Sequence, residues 1–107
     1  MHVQIVNFHL TGISEEEFRA MSDQLAQAFA AVPGLISKTW LADAAANTYG
    51  GVYLWDSEAS CRAYQASELF NAVKTHPNFA GVTSREFGVL NGPSVVTRAA
   101  NPALASA

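Results

Sequence analysis

The chain is poor in cysteine, in positive charge and in long apolar runs, and each shortage excludes a class of protein. Cys61 is the only cysteine among 107 residues, so no intrachain disulfide and no metal site built on paired thiolates is available. Six Lys and Arg against nine Asp and Glu give a formal charge of −3 at pH 7, without a basic stripe to track phosphates, which argues against a nucleic-acid partner. No stretch approaches the ~18 apolar residues of a membrane span, and the opening MHVQIVNFHL lacks the basic start and cleavage site of a secretory signal. The expectation is a cytoplasmic protein with no membrane partner. Local catalytic signatures are missing too: there is no G-x-S-x-G, H-E-x-x-H, P-loop or G-x-G-x-x-G.

What is present is apolar. Half of the residues are hydrophobic and only 14% are charged, which suits a folded domain rather than a disordered chain. A domain this small leaves much of its surface exposed, so an apolar share this high points to a second copy covering part of it.

Residues 2–10 are β-formers with Val3, Ile5, Asn7 and His9 on one face and Val6, Phe8 and Leu10 on the other. Ser14 and Glu17 make a capping box, and Phe18, Met21, Leu25, Ala28, Phe29 and Val32 form a helical stripe that Pro33-Gly34 ends. Residues 35–42 read as a strand with Ile36, Lys38 and Trp40 on one face, and Tyr49 to Trp55 as the next. The Gly50-Gly51 pair inside that strand marks a bulge or a close approach of backbone or ligand. Glu58 to His76 divides near Ser67 into two short helical pieces, residues 82–90 form a fourth strand, and the segment from Ser94 begins as an edge strand or an arm. The order βαββαβ is ferredoxin-like: a four-stranded antiparallel sheet with its helices on one face, in an α+β domain spanning 1–98. Residues 99–107, rich in Ala, Pro and Ser, read as a flexible tail. The other sheet face is expected to close a homodimer, with Val6, Phe8 and Leu10 on it.

The remaining face would then line a pocket between helices and sheet. Asn7 and His9, about 7 Å apart along one strand face, are the candidate catalytic pair: His9 to move a proton, Asn7 to hold a carbonyl or enolate oxygen. Trp40, Tyr53, Trp55 and Tyr64 would bind a flat aromatic ligand. Arg85 pairs with an acid or holds a substrate anion. His76 sits at a helix C-terminus, His2 reads as an inert residue near the terminus, and the spacing of His2, His9 and His76 gives no metal site.

The run Pro33-Gly34-Leu35 followed by Trp40, then Gly50-Gly51-Val52-Tyr53-Leu54-Trp55-Asp56, Ala63-Tyr64 and Arg85-Glu86-Phe87-Gly88-Val89, resembles the YdhR-like monooxygenase family over most of residues 2–95. The resemblance implies a dimeric α+β barrel related to the antibiotic-biosynthesis monooxygenases that use no cofactor. It carries Trp40, Tyr53, Tyr64 and, as a basic residue, Arg85 to the substrate site. The function it implies is cofactor-independent oxygenation of a small aromatic or polyketide-like molecule. The alternatives are an isomerase or cyclase with His9 as general base, and a small-ligand binding or stress-response domain without turnover.

Overall fold

The computed structural model describes residues 1–97. The chain runs β1 (His2–Leu10), α1 (Glu15–Ala30), β2 (Leu35–Asp43), β3 (Thr48–Trp55), α2 (Glu58–Gln65), α3 (Glu68–Thr75), β4 (Phe79–Gly88) and α4 (Asn91–Val96). The four strands form one antiparallel sheet in the order β2-β3-β1-β4. No helix among the described residues is long and apolar enough to cross a membrane.

Local chemistry places the helix ends. Ser14 and Glu17 exchange side-chain-to-backbone hydrogen bonds at 3.1 and 3.0 Å, so the expected capping box starts α1. Such a cap contributes about 1 kcal/mol. The Ser57 and Ser67 hydroxyls accept the backbone N–H of Ser60 and of Phe70 and so start α2 and α3 separately, which is why the second helical segment is two pieces.

The pleat of β1 decides the layout. His2, Gln4, Val6 and Phe8 are buried, while Val3, Ile5 and Asn7 are half-buried and His9 is exposed. Val6 and Phe8 therefore pack under the helices, with Leu10 against the same core, and are not on the open face as the residue types suggested. Gln4 explains the parity. It is fully buried because its amide is satisfied on both sides, accepting from Trp55 Nε1 at 3.1 Å and donating to Ser84 Oγ at 2.9 Å. The core between helices and sheet is aromatic: Phe8 stacks on Phe79 at 4.2 Å between centroids, Phe18 meets Phe8 edge-on at 5.7 Å, and Tyr53, Trp55 and Tyr64 form a second group.

Two segments depart most from the sequence reading. β4 begins at Phe79 rather than residue 82, because Gly81 at φ +61° absorbs a register shift and lets Phe79 and Ala80 pair with Leu10 and His9. The segment expected as an edge strand or arm is the short helix α4. Pro93 fits its first turn, where no backbone N–H is needed. The expected tail, 99–107, lies outside the described residues.

Gly50 is the tightest point of the sheet. Its φ is +151°, and a Cβ there would collide with the carbonyl oxygen of Val6 on β1. Gly50→Ala is expected to lower unfolding free energy by at least ~3 kcal/mol, while Gly92→Ala stays within ~1 kcal/mol. Gly92 serves as the control because nothing lies within 4 Å of its would-be Cβ. Denaturant titration of both variants checks this.

Candidate functional site

Pairing of β2 with β3 sets Lys38 opposite Tyr53 and Trp40 opposite Gly51. These residues face α1, whose stripe of Phe18, Met21, Leu25 and Phe29 lies over them. The result is a narrow cavity of about 30 Å³ walled mainly by Phe8, Phe18, Phe29, Lys38, Trp40 and Tyr53. Three open grooves adjoin it: one of about 210 Å³ shares Phe29, Lys38 and Trp40, one of about 270 Å³ between α1 and α3 shares Met21, Leu25, Phe29, Val73 and Phe79, and one of about 470 Å³ along α1 shares Phe18, Ser22 and Trp40. The narrow part holds about one water. A ring enters only if the Phe29, Lys38 and Trp40 side chains that separate it from the first groove move aside.

Lys38 is the one cation lining this cavity among the described residues. Its Nζ lies 3.4 Å from the ring centroids of both Phe29 and Trp40 and 4.8 Å from that of Tyr53. Burial lowers its pKa from 10.5 to about 7, since removal from water disfavours the charged form. The ring faces act the other way by favouring the cation. Gly51 makes the arrangement possible: a Cβ there would stand 2.8 Å from Lys38 Cε. The second glycine of the pair thus clears the lysine stem.

Of the aromatic residues expected to bind a ligand, Trp40 and Tyr53 line the cavity and Trp55 and Tyr64 stand behind it. Trp55 is fully buried and its ring is parallel to that of Tyr53 at 5.9 Å. The Tyr53 and Tyr64 hydroxyls are 3.2 Å apart. Burial raises both phenols, Tyr64 to about 12, so both stay protonated at neutral pH.

The other expected site residues lie elsewhere. Asn7 and His9 are on the sheet face away from the helices: the Asn7 amide makes one long contact to Tyr49 O at 3.5 Å, and His9 Nδ1 lies 2.7 Å from Asn47 O. The pairing of these two with a helix-side pocket is therefore corrected, because the β1 pleat sends their side chains the other way. Arg85 shares that far face and is exposed, with its guanidinium over the Phe87 ring at 5.3 Å rather than beside an acid. His76 ends α3 as expected; its Nδ1 accepts from the Asn78 N–H at 3.1 Å and its ring stacks on Phe79.

Sequence reasoning misses two groups. Lys38 stands beside Trp40 on one strand face with no role assigned to it; the signal is a glycine in the neighbouring strand. His2, inert by its position in the sequence, is buried with Nε2 2.9 Å from Glu86 Oε1. Gln65 donates to Glu86 Oε2 at 2.7 Å and contacts Cys61 Sγ at 3.3 Å. The Gln65 and His2 contacts hold the Glu86 carboxyl below its usual range, and burial pushes the Cys61 thiol up. His2, Cys61 and Glu86 place ligand atoms within 4.8 Å of one another, a convergence that the spacing of the histidines does not reveal.

The family model described as "Putative mono-oxygenase ydhR" matches residues 3–100. The chain belongs to this family. No curated protein matches the chain. Among solved structures, the haem-degrader MhuD of Mycobacterium tuberculosis, with two haems bound, is 21% identical, with 84% of this chain and 96% of MhuD covered at a TM-score of 0.68. A mutant of SnoaB, a cofactor-independent oxygenase from Streptomyces nogalater, is 24% identical over 83% of this chain and 93% of that one, at 0.64. A Deinococcus radiodurans protein described as a putative antibiotic biosynthesis monooxygenase is 15% identical over 83% and 92%, at 0.66. At these identities the likeness establishes the ferredoxin-like fold shared by these proteins and the family.

The Lys38 shift has a testable sign. The folded pKa lies below the unfolded value, so between about pH 7 and 10.5 the unfolded chain binds more protons and stability rises with pH. Lys38→Met is expected to be more stable than the parent at and below pH 7, with the difference shrinking to nothing towards pH 10.5. Denaturant midpoints across that range check it.

Proposed function

We propose that this protein is a cofactor-independent monooxygenase whose substrate is a small aromatic or polyketide-like molecule bound between α1 and the sheet. The observation that carries this reading is the lining of the cavity by ring faces with one cation at its rim. A flat substrate would stack on Trp40 and Tyr53 and leave its polar oxygen towards Lys38. Membership of the monooxygenase family and the likeness to SnoaB support it.

The chemistry is redox-balanced with the substrate as reductant. An activated ring methylene next to an enolisable carbonyl loses a proton, and the resulting carbanion supplies electrons to dioxygen. One oxygen atom ends as the new carbonyl and the other leaves as water with the two hydrogens of the methylene. The protein contributes a dry, oriented site and stabilisation of the enolate.

A porphyrin as in MhuD fits these residues poorly. The imidazole on the α1–α3 groove is His76, whose Nδ1 accepts the Asn78 N–H; that contact puts the neutral ring's proton on Nε2 and leaves no free lone pair for iron. The isomerase reading assigns its base to His9, which is exposed on the opposite face.

Oxygen-electrode measurements with anthrone-type and polyphenol substrates should show one dioxygen consumed per substrate without added flavin, haem or metal. Trp40→Ala should lower kcat/KM at least about tenfold, ~1.4 kcal/mol. Substrate conversion that persists without oxygen would overturn the reading, ring binding without uptake would leave a binding domain, and a Soret shift with hemin would replace it with the porphyrin alternative.

We also propose a homodimer closed through the open sheet face. Phe87 and Leu90 are 44% and 77% exposed, and Val3, Ile5 and Val52 are half-buried on the same side. Apolar surface of this kind is normally covered. Sedimentation should give a dimer mass at micromolar concentration, with Ile5→Lys and Phe87→Asp each shifting it to monomer; a monomeric parent would refute it.

A further inference from the structure

We propose that Lys38 is the anion anchor of the cavity, binding the oxyanion of an acidic phenol or enol whose ring lies against Trp40 and Tyr53. The inference rests on reading this cavity as the substrate site, and it names the substrate class.

The ammonium is held in an unusual way for a strand residue. Three rings enclose it, a glycine clears its stem, and no carboxylate pairs with it among the described residues, where the ion pairs involve His2, Arg19 and Arg62. Among the described residues, no acid lines the cavity itself. From α1, Glu15, Arg19 and Asp23 line the adjoining groove that shares Phe18, Ser22 and Trp40 with the cavity, and Glu15 is bound to Arg19 at 2.9 Å and to the Tyr49 hydroxyl at 2.7 Å. From β3 and α2, Tyr53 and Tyr64 present uncharged phenols that bond each other.

A half-buried ammonium without an anion carries part of the cost of a buried charge, and ring faces return only part of the lost hydration. An oxyanion arriving in the same ring-lined space supplies what is missing, and the attraction is stronger there than in bulk water. The walls select the rest of the ligand. They are flat and apolar, so they accept a ring and reject a phosphate or a free carboxylate group that would need its own hydration. When Lys38 is neutral, a phenol or enol O–H transfers its proton to Nζ, giving an ammonium–oxyanion pair with no change in electron count. That pair is the electron-rich form from which oxygenation starts.

The test uses para-nitrophenol, whose ionised form absorbs in the visible, and para-nitroanisole, which has the same ring and cannot ionise. Bound to the parent protein, nitrophenol should ionise at least one pH unit below the free indicator, equivalent to about tenfold tighter binding of phenolate than of phenol. Lys38→Met and Lys38→Gln should bind nitroanisole as well as the parent does and lose the nitrophenol shift. Arg85→Gln, on the opposite face, should keep it. If nitrophenol binds the parent without a lowered pKa, or the shift survives in both Lys38 variants or vanishes in Arg85→Gln, the anchor assignment is overturned while the pocket stands. If neither probe binds the parent, both the anchor and the pocket reading fall.

Discussion

The backbone of β3 passes β1 so closely at Gly50 that no side chain fits between them, and the rest of the molecule is arranged around that contact. The approach to the Val6 carbonyl fixes the register of the two central strands. With that register set, Tyr49, Tyr53 and Trp55 must all point to the helices, since side chains alternate along a strand. The neighbouring strand β2 inherits its alignment from β3, and so Lys38 and Trp40 arrive on the same side. The cavity is a consequence of one short-range steric fact propagated through two strand pairings.

Much of this is legible in the sequence. The capping box at Ser14, the stop at Pro33-Gly34, the break near Ser67 and the βαββαβ order are local properties, carried by residues that touch their own neighbours. Gly50-Gly51 is legible as a place of close approach, though not which approach each glycine serves. The parity of β1 is not legible because both of its faces are apolar. Val3 and Ile5 look as suited to a core as Val6 and Phe8, and the deciding residue, Gln4, reads as solvent-facing until Trp55 and Ser84 are seen to satisfy it. Those partners lie 51 and 80 positions away. With the parity reversed, Asn7 and His9 fall into the pocket by default.

Lys38 is hidden for a related reason. A lysine in a strand is ordinarily a solvated residue, and only the missing side chain on the adjacent strand turns it inward. α4 is hidden because Val95, Val96 and Thr97 have strong strand preferences, which a proline in a helical first turn overrides. In each case a residue's neighbours across space, not along the chain, settle its role.

The two tryptophans divide the molecule into a quiet region and a responsive one. Trp55 is sealed in the core with its indole N–H bound to Gln4, whereas Trp40 is half-buried, touches the Lys38 ammonium and borders the open grooves. The protein therefore carries an intrinsic fluorescence reporter beside an intrinsic reference. Emission from Trp40 follows events in the cavity, and emission from Trp55 follows only the integrity of the fold.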